Sequence, residues 1–220
     1  MAIPVLTIDG PSGAGKGTVS RAVARLLGWN YLDSGSIYRS LAIACLQAKL
    51  DLANVDVVCE VAKNMALSFD CGDTLQVFLN GQNITDSLGS ETTGNAASIV
   101  AAYPEVRALL LQKQKDFQQL PGLVADGRDM GSVVFPNARY KVYLTASAEE
   151  RASRRYKQLI EKGIDANLAQ ITLEIEERDR RDRERAAAPL TVPDGALSID
   201  SSSLSIQQVI DEVMALVRKD

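Results

Sequence analysis

The run Ile8-Asp9-Gly10-Pro11-Ser12-Gly13-Ala14-Gly15-Lys16-Gly17-Thr18 limits the folds open to this chain more than any other stretch. The apolar residues from Ile3 to Ile8 read as a buried strand. Val19, Ala22, Val23, Leu26 and Leu27 then recur at helical spacing. The glycines therefore fall at a strand-to-helix turn, the setting that a phosphate-binding loop requires. Glycine lets the backbone curl until successive N–H groups point inward at an anion. The helix that follows adds the positive end of its dipole, and Lys16 adds a full charge able to reach β- and γ-phosphates.

The general pattern G-x-x-x-x-G-K-[ST] fits Gly10 to Lys16, but Gly17 stands in its last place. The hydroxyl arrives one residue later, at Thr18, about 100° further around the helix. Direct ligation of Mg²⁺ by Thr18 is therefore not expected. The Gly-x-Gly-Lys-Gly-Thr form resembles nucleoside monophosphate kinases more than GTPases or motor ATPases.

The rest of the chain alternates strands and helices. Gly28 ends the first helix, Trp29 to Leu32 reads as a strand, and an apolar helix follows over roughly 36–49. Asp33 or Ser34 fits the N-cap of that helix. Either fits equally well as a ligand group at the carboxyl end of a parallel strand. Leu75 to Leu79 alternates like a strand, Asn80-Gly81 is a strong two-residue hairpin signal, and Gln82 to Thr85 returns, with Ala66 to Phe69 as a third strand. Residues 90–118 are helical, with a break at Tyr103-Pro104. Arg107 beside Leu110 and Leu111 reads as a snorkelling surface cation, with ligand binding as the other reading.

Gly122 to Asp126 is an apolar strand ending in a carboxylate, as in a Walker B strand whose Asp organises Mg²⁺. Arg128 and Asp129 follow at once. Tyr140 to Thr145 is a fourth strand of the main sheet, and Ser147 to Glu150 caps a helix bearing Arg151, Arg154 and Arg155. Asn167 opens a second helix reaching about Ala188. Within it every residue from Glu176 to Arg185 is charged, five of them arginine and none lysine. Such a run fits a solvated helix laced with i,i+4 pairs. The arginine bias favours rigid forks for phosphate, with Arg178, Asp182 and Arg185 on one face. Leu197 to Asp200 is the fifth strand, and Ile206 to Val217 the closing helix. Five strands alternating with helices predict an α/β fold: a three-layer architecture with a five-stranded parallel sheet, plus the small antiparallel insertion.

Composition narrows the function. The chain has 220 residues and a net charge of −4, so no overall basic footprint for nucleic acid is present. No apolar run approaches membrane-spanning length. The first basic residue is Lys16, so no signal peptide is read, and the expectation is a cytoplasmic protein. With three cysteines, no C-x-x-C and no histidine, neither a disulfide framework nor a zinc site is expected. Any general base must come from a carboxylate, Lys, Tyr or water.

Together these residues resemble the cytidylate kinase family of P-loop kinases along essentially the whole chain. The resemblance rests on residues 10–18, Asp-Ser-Gly-Ser-Ile-Tyr-Arg (33–39), Asn-Ala-Ala-Ser (95–98), Asp-Gly-Arg-Asp-Met-Gly (126–131) and Glu-Arg-Asp-Arg-Arg-Asp-Arg (177–183). It implies phosphorylation of CMP and dCMP by ATP with Mg²⁺ in a single P-loop kinase domain, acting as a monomer. It implies that Gly10, Pro11, Ser12, Gly13, Ala14, Gly15, Lys16, Gly17 and Thr18 hold ATP phosphates. Ser34, Ser98, Arg107 and Asp129 would line the cytosine pocket. Arg39, Arg128 and Arg185 would hold the CMP phosphate or the transferring group, and Arg178 and Asp182 the sugar and phosphate region. Lys16, Asp126, Arg128 and Arg185 would carry the chemistry. Residues 66–88 would be the insertion in the monophosphate-binding region, and 151–185 the arginine-rich lid.

The alternatives are another small-molecule kinase, for AMP, UMP or shikimate, and a slow nucleotide switch. Adenylate kinases usually continue Asp-Gly with Phe-Pro-Arg, whereas Arg128-Asp129 follow here. A GTPase would carry Asn-Lys-x-Asp, and Asn83-Ile84-Thr85-Asp86 lacks the lysine.

Overall fold

The computed structural model describes residues 3–71, 75–161 and 163–218. Positions 72–74 of the expected insertion and 162 of the expected lid lie outside them. The chain runs β1 (Val5–Asp9), α1 (Lys16–Leu27), β2 (Asn30–Asp33), α2 (Ser34–Gln47), α3 (Val55–Asn64), β3 (Leu67–Cys71), β4 (Leu75–Leu79), β5 (Gln82–Asn83), α4 (Glu91–Val100), α5 (Pro104–Lys115), β6 (Leu123–Gly127), β7 (Tyr140–Thr145), α6 (Ala148–Glu161), α7 (Leu168–Glu184), β8 (Leu197–Asp200) and α8 (Ile206–Arg218). A 3-10 turn occupies Thr85–Gly89 and a π-helical turn Met130–Val134.

The main sheet has the order β2-β6-β1-β7-β8 and is parallel. Its central strands β1 and β6 are buried at every position, as strands covered on both faces must be. Further out, β7 alternates buried and half-buried residues, and edge strand β8 buries only Ile199. α1 packs on β6, α8 packs on β7, and the two helices touch each other. α1 turns Val19, Val23 and Ala24 inward and stops at Gly28, whose φ of 65° suits glycine and whose N–H reaches the Ala24 and Arg25 carbonyls. Among the described residues no helix is long and apolar enough to cross a membrane.

The chain divides into two compact units, residues 1–32 with 118–220, and residues 33–117. In the second unit α2 packs against α4, and α3 against α5. Its antiparallel sheet has the order β3-β4-β5. The β4–β5 hairpin turns through Asn80 and Gly81, both at positive φ (50° and 82°), as its two-residue loop demands.

Several boundaries differ from the sequence reading. The first strand is Val5–Asp9, not Ile3 to Ile8. α2 begins at Ser34, because the Asp33 carboxylate caps it through the Ser36 N–H at 3.1 Å. The return strand stops at Asn83, since Thr85 already opens the 3-10 turn and its hydroxyl accepts the Val77 N–H at 3.0 Å. α7 ends at Glu184 rather than near Ala188. The backbone of Arg185 leaves the helical region (ψ 138°), Ala188 adopts a φ of 49°, and the Leu190 N–H turns back to the Asp182 carbonyl. α3 has no counterpart in the sequence reading; Asn54 caps it and it buries Val58 and Ala62.

Candidate active site

In the first unit the glycine loop joins β1 to α1. Gly10 sits against β7: a Cβ there would overlap the Leu144 carbonyl oxygen, so no other residue fits. Gly15, at φ 93°, holds the left-handed turn that starts α1. Lys16 is buried, and its Nζ donates to the Pro11 carbonyl at 2.8 Å, so the cation lies across its own loop. Burial first, then the neighbouring Arg128, pull its pKa down to about 7, while Asp126 and Asp182 act in the opposite direction.

Asp126 lies in β6, in register with Ile8. Its Oδ2 accepts the Tyr31 hydroxyl at 2.6 Å and lies 3.8 Å from where a Cβ on Gly17 would stand. Thr18 is exposed. A carboxylate beside a phosphate loop is the donor set that suits Mg²⁺, which takes one or two carboxylates together with substrate phosphates. Among the described residues no three His, Cys, Asp or Glu side chains cluster into a resident metal cage.

Arg128 follows β6 and meets α7: its Nε donates to Asp182 at 2.7 Å. Burial disfavours both charges, but the pairing prevails. Asp182 is held below the usual carboxylate range and Arg128 is raised further. Arg178 contributes to the field on both Lys16 and Asp182. Arg185 caps the end of α7, and its charge acts on Asp182. Its guanidinium comes within 3.7 Å of the buried Asp129 carboxylate, and its Nε donates to the Ala188 carbonyl at 2.7 Å. α7 thus combines both readings of its charge run. Arg180 is exposed and pairs with Glu177 and Glu184, whereas Asp179 and Asp182 turn inward.

In the second unit the Ser34 hydroxyl donates to the Gln114 side-chain carbonyl at 2.7 Å, with both residues buried. Arg39 donates to the Leu88 carbonyl. Ser98 is buried, and its hydroxyl has no hydrogen-bond partner among the described residues. Arg107 is only 8% exposed, which corrects the snorkelling reading. It stacks over the Tyr38 ring at 5.3 Å and donates to the Ala101 carbonyl at 3.2 Å.

Three residues have roles that the sequence reading did not assign, although it named Arg151 among the arginines of the expected lid. Arg151, at the start of α6, is 3% exposed and joins three parts of the first unit: the Ala146 carbonyl (2.9 Å), the Ser12 carbonyl of the glycine loop (3.0 Å) and Asp179 of α7 (2.6 Å). Tyr31 is the partner of Asp126. Asp9, fully buried at the end of β1, accepts the Met130 and Gly131 N–H groups at 2.7 Å each and so fixes the turn behind Arg128 and Asp129. A lone Asp before the first loop glycine was the only available signal.

Burial raises the Asp9 pKa to about 6, against the lowering effect of its two backbone bonds. An acid whose pKa is higher folded than unfolded binds more protons in the folded state between the two values. Its ionisation therefore costs stability as pH rises from about 4 to about 6, and the cost is complete above that. At about 1.4 kcal/mol per pKa unit the loss is roughly 3 kcal/mol. Asp9→Asn cannot ionise and is expected to lack this decline. Urea melts of both proteins at about pH 4 and about pH 7 test it, and parallel pH dependence would contradict it.

Residues 6–219 match the family model described as Cytidylate kinase. The chain is 55% identical over 216 residues to the cytidylate kinase of Methylococcus capsulatus (strain ATCC 33009 / NCIMB 11132 / Bath), covering 98% of this chain and 97% of that protein. It is 50% identical over 218 residues to the cytidylate kinase of Edwardsiella ictaluri (strain 93-146), covering 99% and 97%. Among solved structures, an uncharacterized protein from Eubacterium ventriosum ATCC 27560 aligns over 99% of both chains with a TM-score of 0.50 at 11% identity, a likeness of fold alone.

Proposed function

The chain belongs to the cytidylate kinase family, and from that premise we infer that it transfers the γ-phosphoryl group of ATP to CMP, and to dCMP, by direct in-line displacement. The observation that carries the assignment to this site is the convergence of Asp126, Arg128 and Asp182 around the buried Lys16 of the glycine loop. Phosphoryl transfer needs little covalent help from the protein. It needs two anions brought together and charge stabilised on the moving group. The acceptor is already an oxyanion near neutral pH, so a chain without histidine meets no obstacle.

We assign residues 10–18 to the ATP phosphates, through loop N–H groups and Lys16. Arg128 and Arg185 neutralise the transferring phosphoryl, Arg39 serves the CMP phosphate, and Arg178 and Asp182 the sugar and phosphate region. Asp126, with the nucleotide phosphates, would hold Mg²⁺, which would supply further charge neutralisation. Cytosine is read by Ser34, Ser98, Arg107 and Asp129. The partnerless buried hydroxyl of Ser98 supports that role, since such groups ordinarily find a partner. The arginine-rich pair α6–α7 acts as the lid that excludes water. It has its own small core of Ala152, Ile171 and Ile175, which allows it to move as a unit. We place the enzyme in the cytoplasm as a monomer, with no nucleic-acid or membrane partner.

A coupled ADP-release assay over CMP, dCMP, UMP, AMP and shikimate tests the reading. Equal turnover with AMP, or slow hydrolysis without an acceptor, would overturn it in favour of the other kinases or the nucleotide switch. Base choice gives a finer test. An ionised Asp129 can only accept hydrogen bonds, so it suits the cytosine amino group and repels the uracil carbonyl. Asp129→Asn is expected to narrow the CMP-over-UMP ratio of kcat/KM about tenfold, the worth of one hydrogen bond to a charged group at about 1.5 kcal/mol. Equal loss with both substrates would show that Asp129 serves only to hold Arg185.

A further inference from the structure

Phosphate loops that end in Lys-Ser or Lys-Thr place a hydroxyl where the metal of the nucleotide sits. Gly17 leaves this chain without it, and the structure shows what occupies that place. A Cβ built on Gly17 would stand 3.7 Å from the Tyr31 hydroxyl and 3.8 Å from Asp126 Oδ2. Those two atoms are themselves hydrogen-bonded at 2.6 Å. Tyr31 reaches the site from β2 and is only 8% exposed. Its ring therefore fills the space in front of Gly17, and its hydroxyl meets the carboxylate that a loop hydroxyl would otherwise accompany.

We propose that Tyr31 is a positioning residue for the metal–nucleotide complex, its phenol standing in for the hydroxyl missing from Gly17 and fixing the Asp126 carboxylate toward Mg²⁺·ATP. The chemistry is that of outer partners at metal sites generally: a donor to a ligating carboxylate selects which oxygen faces the ion, and its removal weakens metal binding. The inference rests on the phosphate-loop reading of residues 10–18 given above.

The same geometry supplies a rescue. Gly17 is the second residue of α1 and has no positive φ, so serine is conformationally acceptable there. From that Cβ a hydroxyl can reach Asp126, and the other close atom, Arg21 Nη1 at 3.3 Å, is the far end of a flexible side chain. At 3.7 Å the Tyr31 hydroxyl is in ordinary contact with the added Cβ, and Tyr31→Phe removes only that oxygen, whose place the serine hydroxyl can take.

The test is the affinity for Mn²⁺ in the presence of a non-hydrolysable ATP analogue, read by the loss of the free-ion electron paramagnetic resonance signal. It is run on wild type, Tyr31→Phe and the double variant Tyr31→Phe/Gly17→Ser. Tyr31→Phe is expected to weaken metal retention by about 10- to 100-fold, and the added serine to recover most of that loss. Circular dichroism melts confirm that all three proteins are folded. Unchanged Mn²⁺ affinity in Tyr31→Phe overturns the proposal. A defect that Gly17→Ser leaves untouched also overturns it, because the phenol would then not be standing in for a loop hydroxyl. Wild-type protein that fails to retain Mn²⁺ with the nucleotide would refute the phosphate-loop reading itself, and the proposal with it.

Discussion

Lys16→Ala is expected to lower kcat by about 10²–10³, the usual loss when a charge-stabilising contact to a reacting phosphate is removed. CMP binding should change far less, because the role proposed for the lysine is on the transferring group and not on the acceptor nucleoside. The buried setting makes the effect large. Lys16 is only 6% exposed and lies among Asp126, Arg128, Arg178 and Asp182. No mobile surface cation can take its place, and water there screens poorly. Before nucleotide arrives, the amine donates to the Pro11 carbonyl. The alanine variant also leaves that buried acceptor unpaired, at a cost of about 1–3 kcal/mol, so a melt accompanies the kinetics to show that the loss of turnover belongs to folded protein. Steady-state kinetics with CMP and ATP varied separately is the measurement. Normal kcat in a folded variant would remove Lys16, and with it the loop, from the chemistry.

The second large effect is on stability. Asp179→Ala deprives Arg151 of a buried carboxylate partner at 2.6 Å, with side chains 4% and 6% exposed. Removing one partner of a buried pair strands the other charge and costs about 3–5 kcal/mol. In a chain of this size each kcal/mol moves Tm by about 2–4 °C, so the melting point should fall by about 6–20 °C. Arg183 lies 3.9 Å from the same oxygen but is exposed and contributes little. Asp179→Asn, which keeps an acceptor for Arg151, should fall by much less. Because Arg151 also holds the Ser12 carbonyl, the alanine variant should raise the KM for ATP as well. A Tm within about 2 °C of wild type would mean that the pair is not worth its burial.

What the sequence disclosed and what it withheld follow from the range of the interactions involved. The glycine loop was legible because strand, turn, lysine and helix are neighbours in the chain. The hairpin was legible because Asn80-Gly81 accepts the two positive φ values it must adopt. Asp33 as cap and the strand ending in Asp126 could be read from local pattern. Arg107 was misjudged because the ring that buries it, Tyr38, belongs to a different helix. Arg185 was assigned to a helical face that ends one residue before it. The roles of Asp9, Tyr31 and Arg151 were missed for one reason: each acts on a residue more than twenty positions away, and nothing in their own surroundings marks them. α3 was passed over because its short Val-rich segment has too few turns to separate a helix from a strand.

The contacts that fix the glycine loop join remote parts of the polymer. Asp9 meets Gly131 across 122 residues, Arg151 meets Ser12 across 139, and the Ser201 hydroxyl reaches the Ala14 carbonyl across 187. Loop closure over such separations must be met before these contacts return anything, so they form late in folding. During synthesis the first residues of the loop emerge early, and their clasp emerges last. A ribosome-bound chain that stops short of Ser201 would display the glycine run without the bonds that shape it. The loop is therefore expected to take its final shape only once the strand β8 and the Ser201 turn after it have emerged.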